Sequence, residues 1–212
     1  MKLLDYTRLM AQAESYKALS LLFGAPVEGL HNNRSIYDEF VSNAALLDSK
    51  MLELAKKLKR TSDQLNIAEL STEFNRLFKV GDGGLLACPF SSAYENIKSV
   101  DRLVQWLENE YKKAGFVPGN AKIPYDHILT ELEFISRVIE KTAAHLQKNE
   151  EAEANYFSEL RCDFIKVHAL KWVPDFTRAI IFNSKSPFYL QLAILARTML
   201  VNCVMETEGR KS

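Results

Sequence analysis

Ile123-Pro124-Tyr125-Asp126-His127-Ile128-Leu129-Thr130-Glu131-Leu132-Glu133-Phe134 is the stretch around which the chain is organised. Pro124 disfavours helical backbone at Ile123, so a chain arriving extended starts a new helix near Asp126. An aspartate there is suited to cap the first free amides and to meet the positive end of the helix dipole. His127 and Glu131 are four apart and lie one turn above each other on one face. At roughly 100° per residue, Phe134 and Val138 share that strip, beside an apolar stripe of Ile128, Leu132, Ile135 and Ile139. A His–Glu pair flush with an apolar arc needs partners, because unpaired buried charge is costly.

Helical spacing extends outward from this segment in both directions. Asp5 to Phe23 carries Leu9, Tyr16, Leu19 and Leu22 on one side and is stopped by Gly24-Ala25-Pro26. Ser35 to Leu47 opens on a capping-box pattern, Ser49 to Lys59 sets leucines against lysines, and Thr61-Ser62-Asp63-Gln64 reads as the cap of a helix ending near Phe78. Ser99 is placed to cap a helix bearing Leu103, Trp106, Leu107 and Tyr111, which Gly115 stops. Beyond the central helix, expected over about Asp126 to Gln147, helices are expected over Glu151 to Ala169, through a kink or restart at Pro174 to about Asn183, and from Pro187 to about Glu206. Period-two alternation is nowhere sustained. The fold class is therefore all-α: one helical-bundle-like domain over 1–212 with about eight or nine helices. A Pro/Gly-bearing loop at 116–125 divides an N-terminal lobe, about 1–115, from a C-terminal lobe, about 126–208.

Composition narrows the function classes. Lysine plus arginine equals aspartate plus glutamate at 27 each, so no global basic field serves nucleic acid. Three dispersed cysteines form no CxxC pair, suit a reducing cytoplasm and frame no metal cluster. The N-terminus turns polar too early for a secretion signal, and the most apolar segment, 188–205, is broken by Gln191, Arg197 and Asn202. Cytoplasmic residence without a membrane span is the expectation.

The residues that carry chemistry fall in three places. The loop Lys79-Val80-Gly81-Asp82-Gly83-Gly84 has neither the lysine–serine step nor the preceding strand of a phosphate cradle and reads as a bare loop. Its continuation, Cys88-Pro89-Phe90-Ser91-Ser92-Ala93-Tyr94, puts two aromatics on a long loop, either as a binding surface or as pins to the core. Asp126, His127 and Glu131 fit three readings. One is a metal or acid–base site, which still lacks ligands; another is a cap plus a satisfied buried pair. The third takes Asp126 and Glu131 with Glu133, and no lysine or arginine between 126 and 134, as an acidic surface suited to a peptide with arginines beside an apolar run. His168 and Trp172, again one turn apart before Pro174, read as a packing cluster at a helix joint.

Taken together these blocks resemble the all-helical cytoplasmic chaperones of the TorD/DmsD/NarJ type, which serve redox enzyme maturation. Glu73-Phe74-Asn75-Arg76-Leu77-Phe78 leads to Pro89-Phe90-Ser91-Ser92-Ala93-Tyr94, followed by Pro124-Tyr125-Asp126-His127 with Glu131-Leu132-Glu133-Phe134, then by His168, Trp172 and Pro174. The order and spacing span about half the chain. Two positions depart from the pattern: Ile123 stands where an acidic residue often precedes the proline, and Phe90 where the loop tends to carry tryptophan.

The resemblance implies a binding protein without catalysis or cofactor. It would hold the twin-arginine leader or N-terminal segment of a molybdoenzyme precursor in the cytoplasm until the cofactor is inserted and export can follow. The peptide-binding set expected on this basis is Phe90, Tyr94, Pro124, Asp126, His127, Glu131 and Phe134, with no metal ligands. The competing expectations are a metal-dependent helical hydrolase using His127, Glu131 and His168, and a purely structural scaffold. A loop at 116–125 is also suited to exchange of lobes in a homodimer.

Overall fold

The computed structural model describes residues 2–79, 84–94 and 100–208. Among them the chain forms α1 (Lys2–Leu22), α2 (Glu28–His31), α3 (Arg34–Leu47), α4 (Ser49–Ser62), α5 (Ile67–Phe78), α6 (Val100–Lys113), α7 (Ile128–Gln147), α8 (Glu151–Phe164), α9 (Leu170–Asn183) and α10 (Pro187–Glu208). A π-helical turn at Ile165–Ala169 joins α8 to α9, so these two form one rod and the helices then number nine. No described residue belongs to a strand. The nearest approach is a single antiparallel bridge between Phe90 and His127.

Helix α7 is the axis of the molecule. Ile128, Leu132, Ile135 and Ile139 are buried as their spacing predicts, but so are Glu131, Phe134, Ser136 and Val138. A helix buried nearly all round must be covered on more than one side. Here α1 lies along one flank, its largest helix–helix interface, and α8 along another. Two serines fasten α1 to it: Ser136 Oγ donates to Ala13 O at 2.8 Å and Ser20 Oγ to Leu129 O at 2.9 Å. From a third direction α6 brings Tyr111 against Phe134, with ring centroids 4.7 Å apart, and Trp106 parallel to Phe164 at 6.0 Å. The α1–α7 pairing joins the two halves of the chain, and a single apolar core runs through residues of both.

The helix ends show where local chemistry differed from expectation. The α3 cap is Asn33, which accepts from Ser35 N at 3.1 Å; Ser35 itself is helical. Thr61 and Ser62 finish α4, bonding back to Leu58 O and Lys59 O, and Asn66 caps α5 in their place. Asn outcompetes here because its side-chain oxygen reaches two successive amides, Ala68 N and Glu69 N. The short α2 was not foreseen. It buries His31, whose ring accepts from Val27 N at 3.3 Å and sits 3.3 Å from Leu22 O, and burial lowers its proton affinity. Gly115 ends α6 with φ at 57°, the left-handed region that glycine occupies without steric cost. The expected cap at Ser99 and the glycines at 81 and 83 lie outside the described residues.

Pro174 neither breaks nor restarts its helix; it lies inside α9. Proline lacks an amide hydrogen and crowds the carbonyl four residues back, so the helix must adjust upstream. The π turn at Ile165–Ala169 lies just upstream. It also carries His168 toward the flank of α7.

Candidate peptide-binding site

Two loops meet at the start of α7. Ser91 N donates to Asp126 O at 2.8 Å and Ile128 N to Pro89 O at 2.9 Å, which sets Phe90 opposite His127 in the bridge. Their rings meet edge to face at 5.0 Å. The aromatic loop and the Pro124–His127 step are thus one structure, stitched by backbone bonds that the sequence does not encode individually.

His127, and not Asp126, caps α7: its Nδ1 accepts from Leu129 N at 3.1 Å. That bond requires a neutral ring. Burial lowers its proton affinity from the ordinary 6.5 to about 4, only partly opposed by the neighbouring Asp126. Asp126 is freed from the capping role. Its side chain is only 5% exposed, and among the described residues its carboxylate accepts no hydrogen bond.

Glu131 parts company with His127. It is 1% exposed and lies inside the core, with Oε1 2.8 Å from His168 Nε2 and Oε2 accepting from Trp172 Nε1 at 2.9 Å. Burial pushes its proton affinity above the ordinary carboxyl range, against the pull of His168 and Trp172. Both oxygens are occupied, so this pair is the satisfied alternative among the readings of the sequence. Phe134 is fully buried between Tyr111, Phe116 and Phe164. Neither residue presents surface to a peptide in this conformation. Glu131 acts from behind, by fixing His168 and Trp172, over which Tyr94 lies with its ring 5.8 Å from Trp172. Tyr94 is half-buried and burial pushes its hydroxyl up to about 12. Pro124 is exposed and Phe90 half-buried.

His127, Glu131 and His168 therefore do not converge: His127 turns to its own helix end, while Glu131 meets His168 in the core. Among the described residues no three His, Cys, Asp or Glu side chains are placed to hold an ion.

Surface clefts begin at Phe90 and His127. One, about 210 Å³, is walled by Phe74, Phe78, Phe90, His127, Leu129 and Phe176 and is mainly apolar. A second, about 620 Å³, is lined by Leu21, Leu30, Pro118, Ile123, Leu129, Glu133 and others. Both share Gly24, Ala25 and Leu129, so together they form a trough long enough for several extended residues. In the larger cleft Lys17 is paired with Glu14, and Arg137 with Glu140. Glu133 accepts only from Gly119 N, at 3.4 Å. A Cβ on Gly119 would come 3.1 Å from Glu133 Oε1, so glycine is what lets that loop approach. Leu129 and the Gly24–Ala25 turn were not expected at the site, and Glu133 was expected on the acidic surface but not in the peptide-binding set. The absence of lysine and arginine from 126–134 was the signal that pointed toward Glu133.

The Glu73–Phe78 block supports this wall. Glu73 receives both Arg76 Nε and Nη2 at 2.7 and 2.8 Å, and also Lys185 N at 2.6 Å and Ser184 Oγ at 3.2 Å. Four donors hold its proton affinity below the ordinary value despite burial. The latch pins α5 to the α9–α10 turn, and Phe78 then packs on Phe176 and Tyr189.

Residues 44–178 match the family model described as the nitrate reductase delta subunit. The chain belongs to that family. Family members are chaperones of molybdoenzyme maturation and not catalysts, which agrees with the resemblance carried by the motifs. The chaperone protein TorD of Aliivibrio fischeri is 29% identical over 208 residues, covering 89% of this chain and 91% of that one. The crystal structure of a candidate redox enzyme maturation protein from Archaeoglobus fulgidus superimposes with a TM-score of 0.54 at 22% identity. It covers 89% of this chain and 91% of its own, and carries the same helical fold. No helix among the described residues is long and apolar enough to cross a membrane.

Proposed function

We propose that this chaperone binds the twin-arginine leader, or the adjoining N-terminal segment, of a molybdoenzyme precursor. It holds that segment in the cytoplasm until the cofactor is inserted, and export follows. The observation that carries the proposal is Asp126: a nearly buried carboxylate without a hydrogen-bond donor among the described residues, at the joint beside an apolar trough. An incoming guanidinium would give that carboxylate charge-assisted bonds. The leader's apolar run would lie against Phe74, Phe78, Phe90 and Phe176, where it is withdrawn from water. Glu133, without a cationic partner among the described residues, is the second acid open to a basic residue.

Of the expected set, Phe90, Tyr94, Pro124, Asp126 and His127 remain as the surface and its rim. Glu131 and Phe134 act as the foundation beneath them. Titration calorimetry with leader peptides of the host's molybdoenzymes tests the proposal. Binding should be micromolar or tighter, weakened at least tenfold by Asp126→Asn and severalfold by Glu133→Gln, with the exposed Glu159→Gln on α8 as a neutral control. No binding to any of these leaders, or affinity indifferent to both site substitutions, would sink it.

A further inference from the structure

A third cleft, about 470 Å³, opens between the end of α4, the start of α5 and the α9–α10 turn. It shares no lining residue with the two clefts of the leader trough. Leu65, Leu70 and Phe188 give it an apolar floor, the latter two nearly fully buried. Arg60 enters the lining from α4 and Lys185 from the α9–α10 turn, both exposed. Of the two acids in the lining, Glu73 already holds Arg76, which leaves the exposed Glu69 facing these cations.

Helix α4 carries positive charge outward from the cleft. Lys50, Lys57 and Arg60 follow one another at helical spacing and lie with Glu53 on one exposed strip. Glu53 is taken by Lys56, and Lys59 on the neighbouring strip by Asp38. Lys50, Lys57, Arg60 and Lys185 have no carboxylate within ion-pair distance among the described residues. The chain as a whole carries equal numbers of the two charges, so this surplus is a local segregation. From Lys50 to Arg60 the helix rises about 15 Å, a length that an extended peptide covers with about four or five residues. A small molecule seated in the cleft would reach only the inner end of that strip. The recess with its apolar floor suits a protruding side chain and is left empty by a flat plane of lipid headgroups.

We propose that the α4 strip and this cleft dock an extended acidic segment of a partner protein. Its carboxylates would lie along Lys50, Lys57 and Arg60, with Lys185 on the far wall, and one large apolar side chain would rest on the Leu65–Phe188 floor. A leader rich in arginine has the wrong sign for this surface, so the two sites take different segments. The proposal does not rest on the leader reading, and neither depends on the other's outcome.

The test uses the full chain and a short fluorescein-labelled peptide of aspartates and glutamates around one leucine, followed by fluorescence anisotropy. Binding should saturate and should weaken as sodium chloride is raised. Arg60→Gln and Lys185→Gln should each weaken it about threefold and together about tenfold, the size expected of exposed charge pairs. Glu69→Gln removes the opposing acid and should tighten it about twofold. Lys148→Gln, the same loss of charge at the end of α7, should leave it unchanged. These side chains are all exposed, so the variants should melt as the parent does. No binding overturns the proposal, as does equal binding of the asparagine–glutamine version of the peptide or an affinity indifferent to the paired Arg60 and Lys185 substitutions. Phosphatidylglycerol vesicles or a single-stranded oligonucleotide that bind more tightly than the peptide, with the same dependence on Arg60 and Lys185, assign the surface to a membrane or a nucleic acid and overturn it too.

Discussion

The neutral cap at His127 makes stability depend on pH in a defined window. The folded ring protonates near 4 and an unfolded one near 6.5, so protons bind the unfolded chain more tightly between these values. The ring's contribution is therefore fully present above pH 6.5, declines as pH falls toward 4, and is gone below it. At 1.36 kcal/mol per tenfold change in proton affinity the ceiling is about 3 kcal/mol, and solvent contact of the half-buried ring brings the expectation to about 1–2 kcal/mol. His127→Asn is the matched comparison, because asparagine caps a helix as well and does not titrate. Urea unfolding of both proteins at intervals from pH 7 to 4 gives the difference curve, in which the carboxylates common to both cancel. Wild type should lose about 1–2 kcal/mol relative to the variant across that range. A flat difference, or a His127 ring resonance that titrates near 6.5, would refute the neutral-cap argument.

Other outcomes follow from the buried polar groups. Glu131→Leu strands the Trp172 indole N–H and takes the carboxylate from His168, at about 1–3 kcal/mol for the orphaned indole. In a double-mutant cycle with Trp172→Phe, measured by chemical denaturation, the pair should couple by at least about 1 kcal/mol, and additivity would mean the bond contributes nothing. Glu73→Ala opens the latch between α5 and the α9–α10 turn and should cost about 2–3 kcal/mol at pH 7. Because the Glu73 carboxyl is held below its ordinary range, that penalty should shrink as pH falls below about 4.5; a pH-independent cost would point to packing alone. Gly115→Ala forces a Cβ into left-handed backbone and should cost about 1–2 kcal/mol in a thermal melt, with no change meaning that the turn relaxes freely.

Apolar spacing alone made most of the fold legible, because 3.6-residue periodicity survives in most helices and Gly24, Gly115, Pro124 and Pro187 mark several boundaries. Caps were harder to read. Ser35, Thr61 and Ser62 all have capping chemistry, yet Asn33 and Asn66 outcompete them from neighbouring positions, a contest decided by local backbone angles. Helical period placed His127 and Glu131 on one face, and this fails only because His127 is the last extended residue before the helix and not its first turn. The partnership of Glu131 with His168 and Trp172 joins residues about forty apart through a π turn, and no local pattern announces it.

The α1–α7 pairing also sets the order in which this protein can be made. The first helix ends at residue 22 and its principal partner starts at residue 128, a separation of 106 positions. At a synthesis rate of about 5–20 residues per second, α1 waits roughly 5–20 s before the strip that covers it has left the ribosome. Until then α1 has only the nearby α2 and α3 to pack on, and the flank that α7 covers stays open. The α1–α7 pairing must come late, after long-range closure, which slows folding. A protein proposed to shield the N-terminal segment of another polypeptide has itself a helix whose main cover arrives only late in its own synthesis.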